Sequence, residues 1–167
     1  MTAAERLERL YDTAHQRLYR LGCRMTGDAD AALDLIQETF LRAAGRPDAV
    51  PAADSAAEAW LVRVLVNLCR DRFRKQAVRM RSADRVPVGH AAQDPEAAAV
   101  ARDLVKAALA ALAPRRRAVI ALCELEELPV REAARLLGIT EVTVRWHLIV
   151  GRREMAAHLA RNVGRKL

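Results

Sequence analysis

Arg63, Asn67, Arg70 and Arg74 recur at i, i+4, i+7 and i+11, a spacing that lays three guanidinium groups and one carboxamide along one helical stripe. The stripe continues into Lys75, Arg79 and Arg81, and residues 70–81 hold six basic groups against one acid. Such a row is either a solvated face or a track for a nucleic-acid backbone. Asn67 tilts the reading toward nucleic acid, because a carboxamide can read an adenine edge. A second set lies near the C-terminus. A short helix opened by Pro129, a turn at Gly138-Ile139-Thr140 and a longer helix from Glu141 have the layout of a helix-turn-helix. Thr140, Glu141, Thr143, Arg145 and Trp146 stand at the start of its second helix, where base edges are read. Arg145 suits guanine, Glu141 suits cytosine and Thr143 suits a thymine methyl. Arg115, Arg116, Arg117, Arg131, Arg152 and Arg153 are placed as phosphate contacts. A third set, Asp34, Gln37, Glu38 and Leu41 with Leu35 beside them, gives an acidic-amide face with leucines. That mixture suits a protein contact better than DNA, although its spacing alone also fits a solvated face.

No pattern points to catalysis. The chain holds no P-loop, GxSxG or HExxH, and its four histidines are dispersed. Cys23, Cys69 and Cys123 lie far apart without a CxxC pair and read as small buried hydrophobes. No metal site or cofactor is expected.

The elements that must carry these sets are helical. Thr2-Ala-Ala-Glu5 has capping-box spacing and is followed by Leu7, Leu10, Tyr11, Ala14, Leu18, Leu21 and Met25 at helical period. Gly27 stops that helix and Asp28 caps the next, whose core face is read as Ala29, Ala32, Leu33, Ile36, Phe40 and Ala43. After a loop from Gly45 to Asp54, Ser55-Ala-Ala-Glu58 offers another capping box. The helix it opens is apolar over most of its early circumference and is expected to be central. Residues 82–94 lack periodicity and read as a linker, with Asp94-Pro95 starting the following helix. That helix is read with Val100, Leu104, Val105, Ala108, Leu109 and Leu112 inward.

Composition agrees. Of 167 residues 34 are alanine, while glycine (7), proline (6) and aromatics are few, which favours helix over sheet. Net charge is +7, carried as +3 in residues 1–81, −2 in 82–98 and +6 in 99–167. Two basic modules joined by a neutral-to-acidic tether suit nucleic acid. No apolar run is long enough to cross a bilayer, and the charged N-terminus does not read as a signal peptide, so a cytoplasmic location is expected.

Three segments carry a family resemblance: LDLIQETFLRA (33–43), WLVRVLVNLCRDRFRK (60–75) and the stretch from Leu112 to Leu148. Together they resemble bacterial RNA polymerase sigma factors of the extracytoplasmic-function group, which keep only sigma domains 2 and 4. The resemblance implies an all-α chain: domain 2 at 1–81, a linker at 82–94 and domain 4 at 95–167. It implies that Asp34, Leu35, Gln37, Glu38 and Leu41 dock on the β′ clamp helices of core RNA polymerase. It gives Arg63, Asn67, Arg70, Arg74 and Lys75, with the loop Gly45–Asp54, to the single-stranded −10 element of promoter DNA. The loop has no aromatic residue, so an extruded base is expected to rest on backbone and small side chains. The helix-turn-helix, through Arg117, Arg131, Thr140, Glu141, Thr143, Arg145 and Trp146, is given to the −35 element and the polymerase β flap. An anti-sigma factor is the implied negative partner. The main rival is a helix-turn-helix regulator that works without polymerase and needs no clamp-binding face.

Overall fold

The computed structural model describes residues 2–81 and 97–163. Seven α-helices make up almost all of this: α1 (Ala3–Thr26), α2 (Ala29–Gly45), α3 (Asp54–Arg81), α4 (Ala97–Ala110), α5 (Pro114–Ile120), α6 (Val130–Leu137) and α7 (Glu141–Val163). No strand occurs among the described residues. None of their helices is long and apolar enough to cross a membrane. The expected linker 82–94 and the Asp94-Pro95 cap lie outside the described residues.

Local chemistry explains the first two helices. The Thr2 hydroxyl accepts from the Glu5 amide while the Glu5 carboxylate accepts from the Thr2 amide, a complete capping box. Gly27 ends α1 at a φ of +74°, and Asp28 caps α2 by accepting from the Ala31 amide at 2.8 Å. The second capping box does not form. Helix α3 starts one residue earlier, with the Ala53 carbonyl accepting from Ala57 at 2.9 Å. Glu58 instead pairs with Arg17 of α1 at 2.7 Å, because a tertiary guanidinium competes better than an exposed amide.

Helices α1–α3 form a three-helix bundle around Leu18, Leu21, Met25, Leu61 and Leu65. The buried stripe of α2 runs Ala32, Leu35, Ile36, Thr39, Phe40, Ala43. Because α2 is wedged between α1 and α3, this stripe sits closer to Leu35 than the sequence reading places it. Leu35 is 5% exposed and belongs to the core, while Leu33 is 47% exposed and does not. Tyr11, read as a core position, is exposed too, as is Val105 of α4.

Helices α4–α7 form the second bundle, around Ile120, Leu122, Leu136 and Val144. Beyond Ile120 the helix widens over Ala121–Leu125 into a π-turn. The Glu126 amide reaches back five residues to the Ala121 carbonyl at 3.0 Å, and Glu127 adopts a φ of +54°. The two bundles touch: α4 and α5 pack on α1, and α5 and α6 pack on α3. Their buried side chains join into one continuous core.

Candidate nucleic-acid and partner interfaces

The outer face of α2 presents Asp34, Gln37, Glu38 and Leu41, the last 61% exposed. Leu35 is removed from this set by its burial. Leu33, Tyr11 and His15 join it, lining with Asp34, Gln37 and Leu41 a groove of about 490 Å³ between α1 and α2. Tyr11 packs on Phe40 with ring centroids 4.9 Å apart and on His15 at 4.6 Å. An aromatic at the edge of the α1 apolar stripe was the available signal, since stripe edges divide between core and surface. Glu38 is tied to Arg42 at 2.9 Å, an i,i+4 pair that holds its carboxylate along the helix.

The basic ridge of α3 lies next to this face. Asp34 approaches Arg72 at 4.0 Å where the two meet. Asn67, Arg70, Arg74 and Lys75 are exposed along α3. The side chains of Arg79 and Arg81 lie outside the described residues. Arg63, read as part of the same open stripe, is half-buried, its Cδ 3.0 Å from where a Cβ on Gly138 would stand. The loop before α3 is held by α1. Arg6 donates to the Val50 and Pro51 carbonyls, and Arg9 pairs with Asp54 at 2.8 Å. A short 3₁₀ turn, Pro47–Ala49, shapes it. An aromatic reaches this region after all. Trp60 of α3 lines a cleft of about 530 Å³ with Arg42, Gly45, Arg46 and Val64. Reading the loop by itself missed Trp60 because the ring comes from the following helix.

The helix-turn-helix forms as expected. Gly138 takes a φ of +64°, the left-handed conformation that suits glycine, and the Ile139 amide closes the turn on the Ala134 carbonyl at 3.1 Å. Thr140 caps α7 by accepting from the Thr143 amide at 3.2 Å. Arg131, Arg145 and Trp146 are exposed, and Arg145 is paired with Glu141 at 2.7 Å. Those two side chains hold each other in the free protein. The Arg116 guanidinium lies 5.5 Å from the Trp146 ring centroid. His147 behind them has its pKa lowered by burial, with Arg116 and Arg115 adding repulsion.

Arg117 does not belong to this surface. It is 4% exposed. Its guanidinium donates to the carbonyls of Met25, Ala110 and Leu112, and lies 4.4 Å from the Phe73 ring centroid. Met25 sits in the last turn of α1, and Ala110 ends α4. One cation therefore serves two helix C-termini, whose last carbonyls lack intrahelical partners. Burial lowers its pKa, and Cys69 partly offsets that.

A family model for Sigma-70 region 2 matches residues 10–79, and one for Sigma-70, region 4 matches residues 102–155. The chain is 36% identical over 142 residues to the ECF RNA polymerase sigma factor SigL of Mycobacterium tuberculosis, covering 83% of this chain and 80% of SigL. This chain belongs to the ECF RNA polymerase sigma factors. It is also 34% identical over 156 residues to the sigma factor SigE of Mycolicibacterium smegmatis, covering 87% of this chain and 58% of that longer relative. Its fold is similar to that solved for the sigma factor RpoE in complex with the anti-sigma factor NepR from Bartonella quintana. The TM-score is 0.69 at 22% identity, covering 92% of this chain and 96% of that one. Region 2 of this sigma factor thus holds the α2 face and the α3 ridge, and region 4 holds the helix-turn-helix.

Proposed function

We propose that this sigma factor docks on core RNA polymerase through α2, opens promoter DNA with α3 and its preceding loop, and reads a −35 element with α7. The observation that carries this reading is the junction of two unlike faces. An acidic-amide face with exposed leucines meets a basic ridge at Asp34 and Arg72. The first suits the polymerase β′ clamp helices and the second a DNA strand. Asp34, Gln37, Glu38 and Leu41 would contact polymerase, with Leu33 and Tyr11 adding apolar area. Asn67, Arg70, Arg74 and Lys75 would follow the −10 strand, joined by Arg63 once it is uncovered. The Trp60 cleft offers an aromatic wall and two arginines to an extruded base, whose unstacking takes a few kcal/mol. Arg131, Thr140, Glu141, Thr143, Arg145 and Trp146 would meet the −35 duplex, and region 4 the β flap. The protein contributes binding energy, and bond making stays with polymerase in the cytoplasm. An anti-sigma factor is the expected antagonist, a reading supported by the complex in which the RpoE fold was solved.

The test is reconstitution with core polymerase. The chain should support run-off transcription, and Gln37→Ala with Glu38→Ala and Leu41→Asp should weaken core binding in a fluorescence titration. Asn67→Ala with Arg70→Ala should reduce permanganate reactivity of −10 thymines more than duplex binding. Promoter binding and regulation that proceed without polymerase would favour the stand-alone regulator instead.

A further inference from the structure

Three polar contacts at separate places join region 4 to region 2. Arg117 of α5 reaches the carbonyl end of α1 and the face of Phe73. Glu126, at the end of the π-turn, accepts from Arg20 at 2.8 Å and Arg24 at 3.0 Å. Arg135 of α6 donates to the Ser55 carbonyl at the start of α3 and stands 3.7 Å from Glu58. The helix-turn-helix is thereby held on the first half of α3, with the Arg63 side chain lying against Gly138. This places a group assigned to the −10 strand within one side chain of the element assigned to −35. On DNA the two elements, centred about 25 base pairs apart by name, stand roughly 85 Å apart at ~3.4 Å per pair. One conformation cannot satisfy both distances.

We propose that the free chain is self-masked: region 4 is latched onto the strand-binding face of region 2 through Arg117, Glu126 and Arg135, and must be released before both promoter elements are engaged. The proposal rests on the promoter-binding reading above. Its geometry makes sense of the latch chemistry. Glu126 and Arg135 use charge pairs at the rim of the contact, where water competes for them. Arg117 is buried and hydrogen-bonded to both halves. A few polar contacts set the open fraction, and the apparent affinity for DNA scales with that fraction.

The experiment uses the full chain without polymerase. Arg135→Glu combined with Glu126→Arg reverses both rim contacts and leaves net charge unchanged, so a gain in DNA binding cannot come from added charge. Arg135→Glu alone is the milder second variant. It sits at an exposed position and makes the chain more acidic, which by itself opposes DNA binding. Helical circular dichroism checks that both remain folded. Small-angle scattering should give the parent a radius of gyration near ~15 Å, that of one compact body, and the double variant one above ~20 Å. A fluorescein-labelled 12-nucleotide DNA single strand should bind the opened variant about tenfold more tightly than the parent. That gain should vanish when Asn67→Ala and Arg70→Ala are added. A parent that is already expanded, or an expanded variant with no gain in strand binding, overturns the self-masking. A gain that survives Asn67→Ala and Arg70→Ala leaves the mask standing and overturns the strand-reading role of the ridge instead.

Discussion

Replacing Arg117 with methionine keeps the length of the stem and removes every donor. The Met25 and Leu112 carbonyls then lose a buried partner, at about 1–3 kcal/mol each. The contact with the Phe73 face also goes, worth up to ~2 kcal/mol in a desolvated setting. Relief of the buried guanidinium's desolvation returns part of this. A net loss of about 3 kcal/mol is the expectation, which for a chain of this size lowers the melting temperature by ~6–12 °C. Arg131→Met is the control, because Arg131 is exposed. It should melt within ~2 °C of the parent. The two variants should exchange order in DNA binding. Measured well below either melting point, Arg131→Met should reduce the salt slope for promoter duplex by about one, and Arg117→Met should leave it unchanged. The reasoning is refuted if Arg117→Met melts with the parent and loses salt slope as Arg131→Met does. Arg117 would then face phosphate.

Glu141→Gln releases Arg145 from its 2.7 Å pair, so affinity for duplex DNA should rise two- to tenfold by anisotropy. Unchanged affinity would mean that the pair opens without resistance. The Cys69 thiol is fully buried and its pKa is pushed up to about 12 by burial. Thiol reagents at pH 8 should therefore modify Cys23 and Cys123, which are half-exposed, and reach Cys69 only in denaturant. Three equal fast reactions would contradict this burial. His147 has its pKa lowered below 6.5, so the folded chain refuses a proton that the unfolded chain accepts. Stability should fall as pH drops through 6.5 toward the folded pKa. His147→Gln should flatten that part of the urea-midpoint profile, and an unchanged slope would place the titration elsewhere.

What the sequence discloses here follows the range of the interaction involved. The Thr2–Glu5 cap, the Gly27 stop, the Asp28 cap and the Gly138 turn are settled within a few residues of chain, and all were legible. The Ser55–Glu58 box looks the same in sequence as Thr2–Glu5. It fails because Arg17, far away in the chain, takes the Glu58 carboxylate. Leu33 and Leu35 could not be sorted by periodicity alone. Both border the apolar stripe of α2, and the position of α3 decides which turns inward. Arg117 was the largest misreading. It belongs to a run of three arginines, Arg115 to Arg117, and only the meeting of two helix ends draws the third inside. The Gln37-Glu38 face and the Asn67 ridge were legible as exposed polar positions. Trp60, Tyr11 and the cover over Arg63 depend on neighbouring helices and were not.

The π-turn at Ala121–Leu125 works as a phase setter. A π-turn holds one residue more than an α-helical ladder would accommodate, and it dials Glu126 round to face Arg20 and Arg24. Loss of a single residue there would let the ladder revert, swinging Glu126 by ~100° and off its two arginines. Everything from Pro129 onward, including the residues assigned to base reading, would keep its own internal geometry. The strength of interdomain closure is thus adjustable by the length of one turn, independently of which DNA sequence the chain selects.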